Sequence, residues 1–169
     1  MIKKYFFIFL ISFIFITPSY SARDGNTEKQ SASNLGVKKL DNYKFAIRLI
    51  KKAKKLEKKG KLDKAKKNYT KAIKYLLKEN AVKPANPDTL NYLGFTHRKI
   101  GNYIDAEIYY LLGLEIDPTH NGINEYLGEL YVNTNRLEKA KERLKVLEGC
   151  NCEEFEELQT AIQKGSSKY

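Results

Sequence analysis

The sequence predicts an all-α protein of three stacked helical hairpins followed by a capping helix. In residues 87–120, apolar side chains recur every three or four positions on both sides of Gly101-Asn102, as in two amphipathic helices joined by a tight turn. The pattern recurs 34 residues later and 41 residues earlier, so that Gly60 and Tyr69 take the places of Gly101 and Tyr110. Repetition of this kind predicts an α-solenoid, in which adjacent hairpins bury each other's apolar faces.

The first 21 residues have the composition of a secretory signal peptide. Two lysines precede the apolar run 5–16, Pro18 breaks it, and small residues lead to a cleavage point after Ser21 or Ala22. The run is shorter than the roughly 20 residues that cross a bilayer, which favours cleavage over retention as a membrane anchor. We therefore expect a protein exported to a bacterial periplasm, with residues 1–21 as its signal peptide.

The remaining chain divides into a polar segment and one helical domain. Residues 22–37 carry no apolar period that could bury a face, and we expect them to be flexible. The domain is expected over residues 38–169. Its hairpins are predicted at about 41–79, 87–117 and 121–148, with the capping helix at about 153–163.

The apolar positions of these helices predict which side chains pack between them. The second helix is expected to bury a stripe of Leu62, Ala65, Tyr69, Ala72, Ile73 and Leu76. In the central hairpin, small Gly94 and Ala106 would allow the two helices to approach each other closely. The larger residues Leu93, Tyr103, Tyr110 and Leu111 are expected to fill the space around them. An array exposes the apolar flank of its last hairpin, which Phe155, Leu158 and Ile162 are expected to cover.

A period of 34 with these residue types resembles the tetratricopeptide repeat (TPR), over roughly residues 46–152. The segment GCNCEEFEEL, residues 149–158, also resembles small exported TPR proteins of alphaproteobacteria, which carry paired cysteines before a capping helix. The resemblance implies a TPR-like α-solenoid acting as a non-enzymatic, protein-binding scaffold. It provides no common catalytic residue to transfer to this chain.

In this repeat the first helix of each hairpin faces a concave groove where partners usually lie. By analogy, the outward-looking groove positions are Lys54, Lys58, Asn91, Phe95, Arg98, Lys99, Glu125, Glu129 and Asn133. Such a groove would be basic at one end and acidic at the other, and could bind a peptide or protein partner. The alternative, that these residues only form solvated helix surfaces, remains open.

Charge is divided unevenly along the chain, whose formal net charge is +11. Residues 38–83 contain 18 Lys or Arg against 4 Asp or Glu, whereas residues 84–169 contain 9 against 14. The basic half could hold an anionic envelope surface, either lipid or polymer, which makes a surface adaptor the alternative function. Nucleic acid is not an expected partner, because the basic region lacks aromatic stacking platforms. A solvated lysine-rich surface is the simpler interpretation.

Cys150 and Cys152 are the only cysteines. An even pair in an oxidising compartment favours a disulfide that holds the turn before the capping helix. Thiol exchange with a partner is an alternative, although the Cys-x-x-Cys spacing is missing. Metal binding is weaker still, because two thiolates need further ligands.

The sequence contains no recognisable catalytic arrangement. Neither His97 nor His120 lies at motif spacing from a nucleophile and a carboxylate, and no glycine-rich phosphate loop occurs. His97 is expected to pack half-buried within its helix, and His120 to be exposed in a turn. We expect neither enzymatic activity nor a cofactor.

Overall fold

The computed structural model describes residues 41–166, which contain seven α-helices and no strand. The predicted signal peptide and the polar segment 22–37 lie outside the described residues. The helices are α1 Asn42–Glu57, α2 Leu62–Val82, α3 Pro87–Lys99, α4 Tyr103–Ile116, α5 Asn121–Asn133, α6 Leu137–Val146 and α7 Glu153–Lys164. None of these helices is both long and apolar enough to cross a membrane. The predicted all-α solenoid is confirmed.

The helices pair into three hairpins, α1 with α2, α3 with α4, and α5 with α6. Each tight turn contains a residue with positive φ: Gly60 at 68°, Gly101 at 87° and Asn135 at 57°. Glycine adopts this left-handed region without steric cost, and asparagine is among the residues that tolerate it best. The chain can therefore reverse within a few residues and bring each pair of helices together.

Side chains that accept backbone hydrogen bonds mark where several helices begin. Asn86 accepts from the backbone N–H of Thr89 at 2.8 Å, directly before Pro87 at the start of α3. At the start of α5, His120 Nδ1 accepts from the N–H of Ile123 at 3.2 Å. The expectation that His120 is exposed is therefore wrong, since its ring is half-buried as the N-cap of α5.

Alternating small and large residues form the core of the hairpins. Ala106 and Tyr110 of α4 are fully buried, and the Tyr110 ring lies directly over Gly94 of α3. A side chain at residue 94 would overlap that ring, so glycine permits the close contact between α3 and α4. Tyr69 of α2 is buried in the same way at the equivalent position of the first hairpin.

Three residues predicted to be buried are exposed instead. Leu62 is 66% exposed, Tyr103 43% and Leu111 44%. Leu62 and Tyr103 begin their helices, where the chain has just left the turn. Leu111 lies on the side of α4 opposite to Ala106 and Gly113, the small residues that face the neighbouring helices.

Helix α7 covers the flank of the third hairpin. Leu158 is fully buried against Gly128 of α5, and Ile162 packs against the cluster formed by α4, α5 and α6. The apolar side of the last hairpin is thereby removed from solvent, as a repeat array requires.

Candidate partner-binding surface

Helices α1, α3 and α5 are the first helices of the three hairpins, and the surface they form is called the first-helix face. The middle helix α3 contacts α5 directly and also packs on α2. All nine residues that the sequence assigned to the groove lie on these three helices or at the end of α1. The structure separates them into buried and accessible positions.

Phe95 forms the aromatic centre of this face but does not look outward. Its ring centroid lies 6.0 Å from that of Tyr69 and 5.2 Å from that of Tyr126, and the residue is 1% exposed. Lys54 Nζ lies 4.6 Å from the same centroid, within the range of a cation–π contact. Phe95 therefore links three successive hairpins.

Arg98 and Glu129 form a buried ion pair between α3 and α5. The guanidinium Nη2 donates to Oε2 of the carboxylate at 2.9 Å, with side-chain exposures of 2% and 0%. The Arg98 guanidinium also lies 5.5 Å from the Tyr126 ring centroid. These two charges fix the position of the third hairpin relative to the second.

Glu57 at the end of α1 joins a second polar cluster. Its Oε1 lies 2.8 Å from Lys99 Nζ, and its Oε2 accepts from the Tyr69 hydroxyl at 2.9 Å. Lys99 is therefore held by a neighbour from the preceding hairpin. Nothing in the local sequence pattern distinguishes Glu57 from other solvated carboxylates, so its role could not be predicted from the sequence.

The prediction that the groove residues look outward is wrong for five of them. The buried residues are Asn91, Phe95, Arg98, Glu125 and Glu129. Several of them contact the next hairpin: the amide of Asn91 lies beside Gly122 of α5, and Arg98 pairs with Glu129. Lys54 and Lys99 are half-buried, whereas Lys58 and Asn133 are exposed.

An open depression lies where the turns of the first two hairpins meet the end of α5. Its volume is about 410 Å³. Three predicted groove residues converge on it, namely Arg98, Lys99 and Asn133. The rest of the lining consists of Glu57, Leu62, Asp63, Lys66, Ile100, Gly101 and Tyr103. Charges of both signs beside apolar side chains could bind a polar peptide segment in one orientation.

A smaller acidic hollow of about 140 Å³ lies between α5 and α7. It is lined by Glu125, Tyr126, Glu153, Glu154 and Glu157. Burial raises the pKa of Glu125 to about 10, and a hydrogen bond with Glu157 and the charges of nearby glutamates act in the same direction. Glu125 is therefore a neutral carboxyl group at pH 7. The predicted acidic end of the groove carries less negative charge than its number of glutamates suggests.

The remaining candidate residues are the histidine of α3 and the two cysteines. His97 is half-buried with its ring centroid 5.2 Å from that of Tyr109, and burial lowers the pKa of its imidazole. The Sγ atoms of Cys150 and Cys152 lie at the bonding distance of 1.99 Å, in the turn before α7. Within residues 41–166, no group of three or more His, Cys, Asp or Glu side chains could hold a metal ion.

Among solved structures, three similar chains are TPR domains or a chaperone. The first TPR of Spaghetti (RPAP3), bound to an HSP90 peptide, has 23% identity and a TM-score of 0.48, covering 73% of this chain and 94% of that chain. The Sgt2 TPR domain of Aspergillus fumigatus has 17% identity and a TM-score of 0.48, with coverages of 70% and 77%. The Yersinia enterocolitica type III secretion chaperone SycD, in complex with a peptide of the translocator YopD, has 20% identity, a TM-score of 0.46 and coverages of 70% and 87%.

Similarity at this level supports no functional conclusion for this chain. A comparison with curated proteins finds no match to the sequence.

The three hairpins and their covering helix define the class of the molecule, an α-solenoid built from helical repeats. The family model of the tetratricopeptide repeat matches residues 88–120, which are the α3–α4 hairpin. The α3–α4 hairpin is therefore a tetratricopeptide repeat, within a TPR-like α-solenoid.

Proposed function

We propose that this chain is an exported, non-enzymatic scaffold that binds a peptide or protein partner on its first-helix face. The observation that carries the proposal is the convergence of Arg98, Lys99 and Asn133 on one open depression. These residues come from two different hairpins, so the array creates a recognition site that no single repeat contains. The family supports this, because tetratricopeptide repeats are protein-interaction modules.

The depression is a more suitable site than the centre of the first-helix face. At the centre, Phe95, Arg98 and Glu129 are buried in contacts between hairpins, so their side chains present little surface to a partner. At the depression, Lys66 and Asn133 are exposed. A partner would therefore meet the lysine and amide groups at the rim, while the buried pair positions the walls.

Export and the disulfide are part of the same proposal. The order of charges and apolar residues in the first 21 residues supports export to the periplasm. The proximity of Cys150 and Cys152 supports a disulfide there, because that compartment is oxidising. Mass spectrometry of the protein recovered from a periplasmic fraction tests both, since cleavage after Ser21 or Ala22 and loss of two hydrogens each give a defined mass.

The binding proposal is tested with a pair of matched double variants. Lys66→Glu with Asn133→Asp changes the rim of the depression, whereas Lys145→Glu with Asn151→Asp makes the same chemical changes at exposed positions outside the lining. Each protein is used to capture partners from periplasmic extract. We expect the first variant to lose proteins that the wild type and the control both retain. Identical recovery by all three proteins would refute the proposal.

A further inference from the structure

Helix α4 presents a row of aliphatic side chains to solvent. Ile104 is 75% exposed, Ile108 48%, Leu111 44% and Leu112 42%. They lie on the surface formed by the second helices α2, α4 and α6, which is called the second-helix face. Four neighbouring aliphatic side chains exposed on one helix of a small protein indicate a surface that binds a partner or a membrane.

Comparison between the repeats shows that packing does not require these aliphatic residues. Ala65 and Tyr69 of α2 are buried like Ala106 and Tyr110 of α4, which fixes the register of the two helices. At the four exposed positions α2 has Asp63, Lys67, Thr70 and Lys71, and α6 has Glu138, Glu142, Lys145 and Val146. Only α4 is aliphatic at all four, so the hairpin fold itself does not account for the row.

The neighbouring α2 supplies positive charge on the same face. Its exposed lysines outside the depression are Lys64, Lys67, Lys71, Lys74 and Lys78. None of them forms an ion pair within the part of the chain that the structure describes. Lys67 and Lys71 stand at the same repeat positions as Ile108 and Leu112, so both sets lie on the solvent side of their own hairpins.

We propose that the second-helix face binds an anionic lipid bilayer. The aliphatic row of α4 enters the boundary between headgroups and acyl chains, and the lysines of α2 contact lipid phosphates. Apolar side chains flanked by lysines are the pattern of proteins that lie on a membrane surface. The proposal goes beyond peptide binding, because it uses the opposite layer of helices and leaves the depression accessible.

The charge of α2 distinguishes a bilayer from a second copy of the chain. When two copies pack through α4 about a twofold axis perpendicular to that helix, the lysines of one α2 oppose those of the other. An anionic bilayer instead neutralises every lysine at once. The charges therefore favour lipid over this dimer.

Vesicle sedimentation tests the proposal with residues 22–169, since Lys38–Tyr169 forms a compact unit and the apolar leader would bind lipid itself. The vesicles contain equal parts of phosphatidylcholine and phosphatidylglycerol, or phosphatidylcholine alone. We expect the partition coefficient to be at least about tenfold higher on the anionic vesicles.

Two variants test the two halves of the surface. Ile104→Asp with Ile108→Lys places the α2 residues on α4 and leaves the net charge unchanged. Lys67→Glu with Lys71→Glu reverses two charges of the face. Each is expected to lower anionic-vesicle binding by about tenfold or more. The matched control, Lys52→Glu with Lys55→Glu, makes the same charge change on exposed positions of α1 and is expected to lower binding less than about threefold.

Circular dichroism melts identify any variant that fails to fold. If the Ile104→Asp with Ile108→Lys variant does not fold, the vesicle binding of Lys67→Glu with Lys71→Glu tests the proposal. Anionic-vesicle binding that is unaffected by both variants overturns the proposal, as does equal loss in the α1 control. Absence of vesicle binding together with a dimer in sedimentation velocity, abolished by Ile104→Asp with Ile108→Lys, also overturns it and assigns the face to a second copy.

Discussion

The guanidinium of Arg98 on α3 and the carboxylate of Glu129 on α5 lie 2.9 Å apart, and both side chains are buried. A buried charge without its partner is strongly destabilising, whereas replacement of both by apolar groups is often neutral. Glu129→Ala is therefore expected to lower the free energy of unfolding by about 3 kcal/mol.

The double variant Arg98→Met with Glu129→Met is expected to regain most of that loss. Urea denaturation compares the wild type, the double variant and the single variants Arg98→Met and Glu129→Met, which together form the cycle. Additive losses in the double variant would mean that the two side chains stabilise the array independently.

The raised pKa of Glu125 predicts that stability decreases with rising pH. Its folded-state pKa of about 10 lies above the ordinary value of 4.5, so the folded chain retains a proton that the unfolded chain releases. The free energy of unfolding should fall between these two values, by at most about 1.4 kcal/mol per pH unit. Glu129, Glu154 and Glu157 face the same carboxyl group and add to the effect.

Glu125→Gln is expected to flatten this dependence, because the amide is neutral at every pH. Urea denaturation at three pH values within the window checks it, with Glu138→Gln on the exposed surface of α6 as the control. Equal slopes for the wild type and Glu125→Gln would show that the group is ionised in the folded protein.

The close contact of Gly128 with Leu158 predicts that the packing of α7 against α5 depends on the size of residue 128. A methyl group there would lie 2.5 Å from Leu158 Cδ2, so either the Leu158 side chain changes rotamer or α7 moves outward. Gly128→Ala is expected to lower the free energy of unfolding by about 1–3 kcal/mol and to expose α7 to proteolysis. Adding Leu158→Ala should cost less than the sum of the two single losses, because it vacates the contested space.

The proposed disulfide between Cys150 and Cys152 predicts that the protein has no free thiol before reduction. Iodoacetamide should add no mass without a reductant and two adducts after reduction. Cys150→Ser with Cys152→Ser is expected to lower the free energy of unfolding by at most about 2 kcal/mol, because the closed loop is very short. Loss of partner capture by this variant in a folded state would support the alternative role in thiol exchange.

The hairpins could be predicted from sequence because their determinants are local. Gly60 and Gly101 mark turns, and apolar residues at helical spacing mark the faces that pack. The same period could not reveal which groove residues are buried. Arg98 meets a partner 31 positions away, and Phe95 lies between rings from two other hairpins. Such contacts depend on how the repeats stack rather than on the pattern within one repeat.

The exposed row on α4 also escaped prediction. The pattern predicts Leu111 in the space around Gly94 and Ala106, but Ala106, Tyr110 and Gly113 already fill the buried side of the helix. Alignment of α4 with α2 and α6 carries the missing information, since the sibling helices have mostly polar residues at the four exposed positions.

Photo-crosslinking at the rim of the depression tests the central claim most directly. A benzophenone amino acid replaces Asn133 in one protein and Asn151, which is exposed outside the depression, in another. After irradiation in periplasmic extract, we expect residue 133 to form a defined adduct with a partner and residue 151 to form none. The adduct should disappear when Lys66→Glu is added. Adducts of equal yield at both positions, or none at residue 133, would contradict a partner-binding site in the depression.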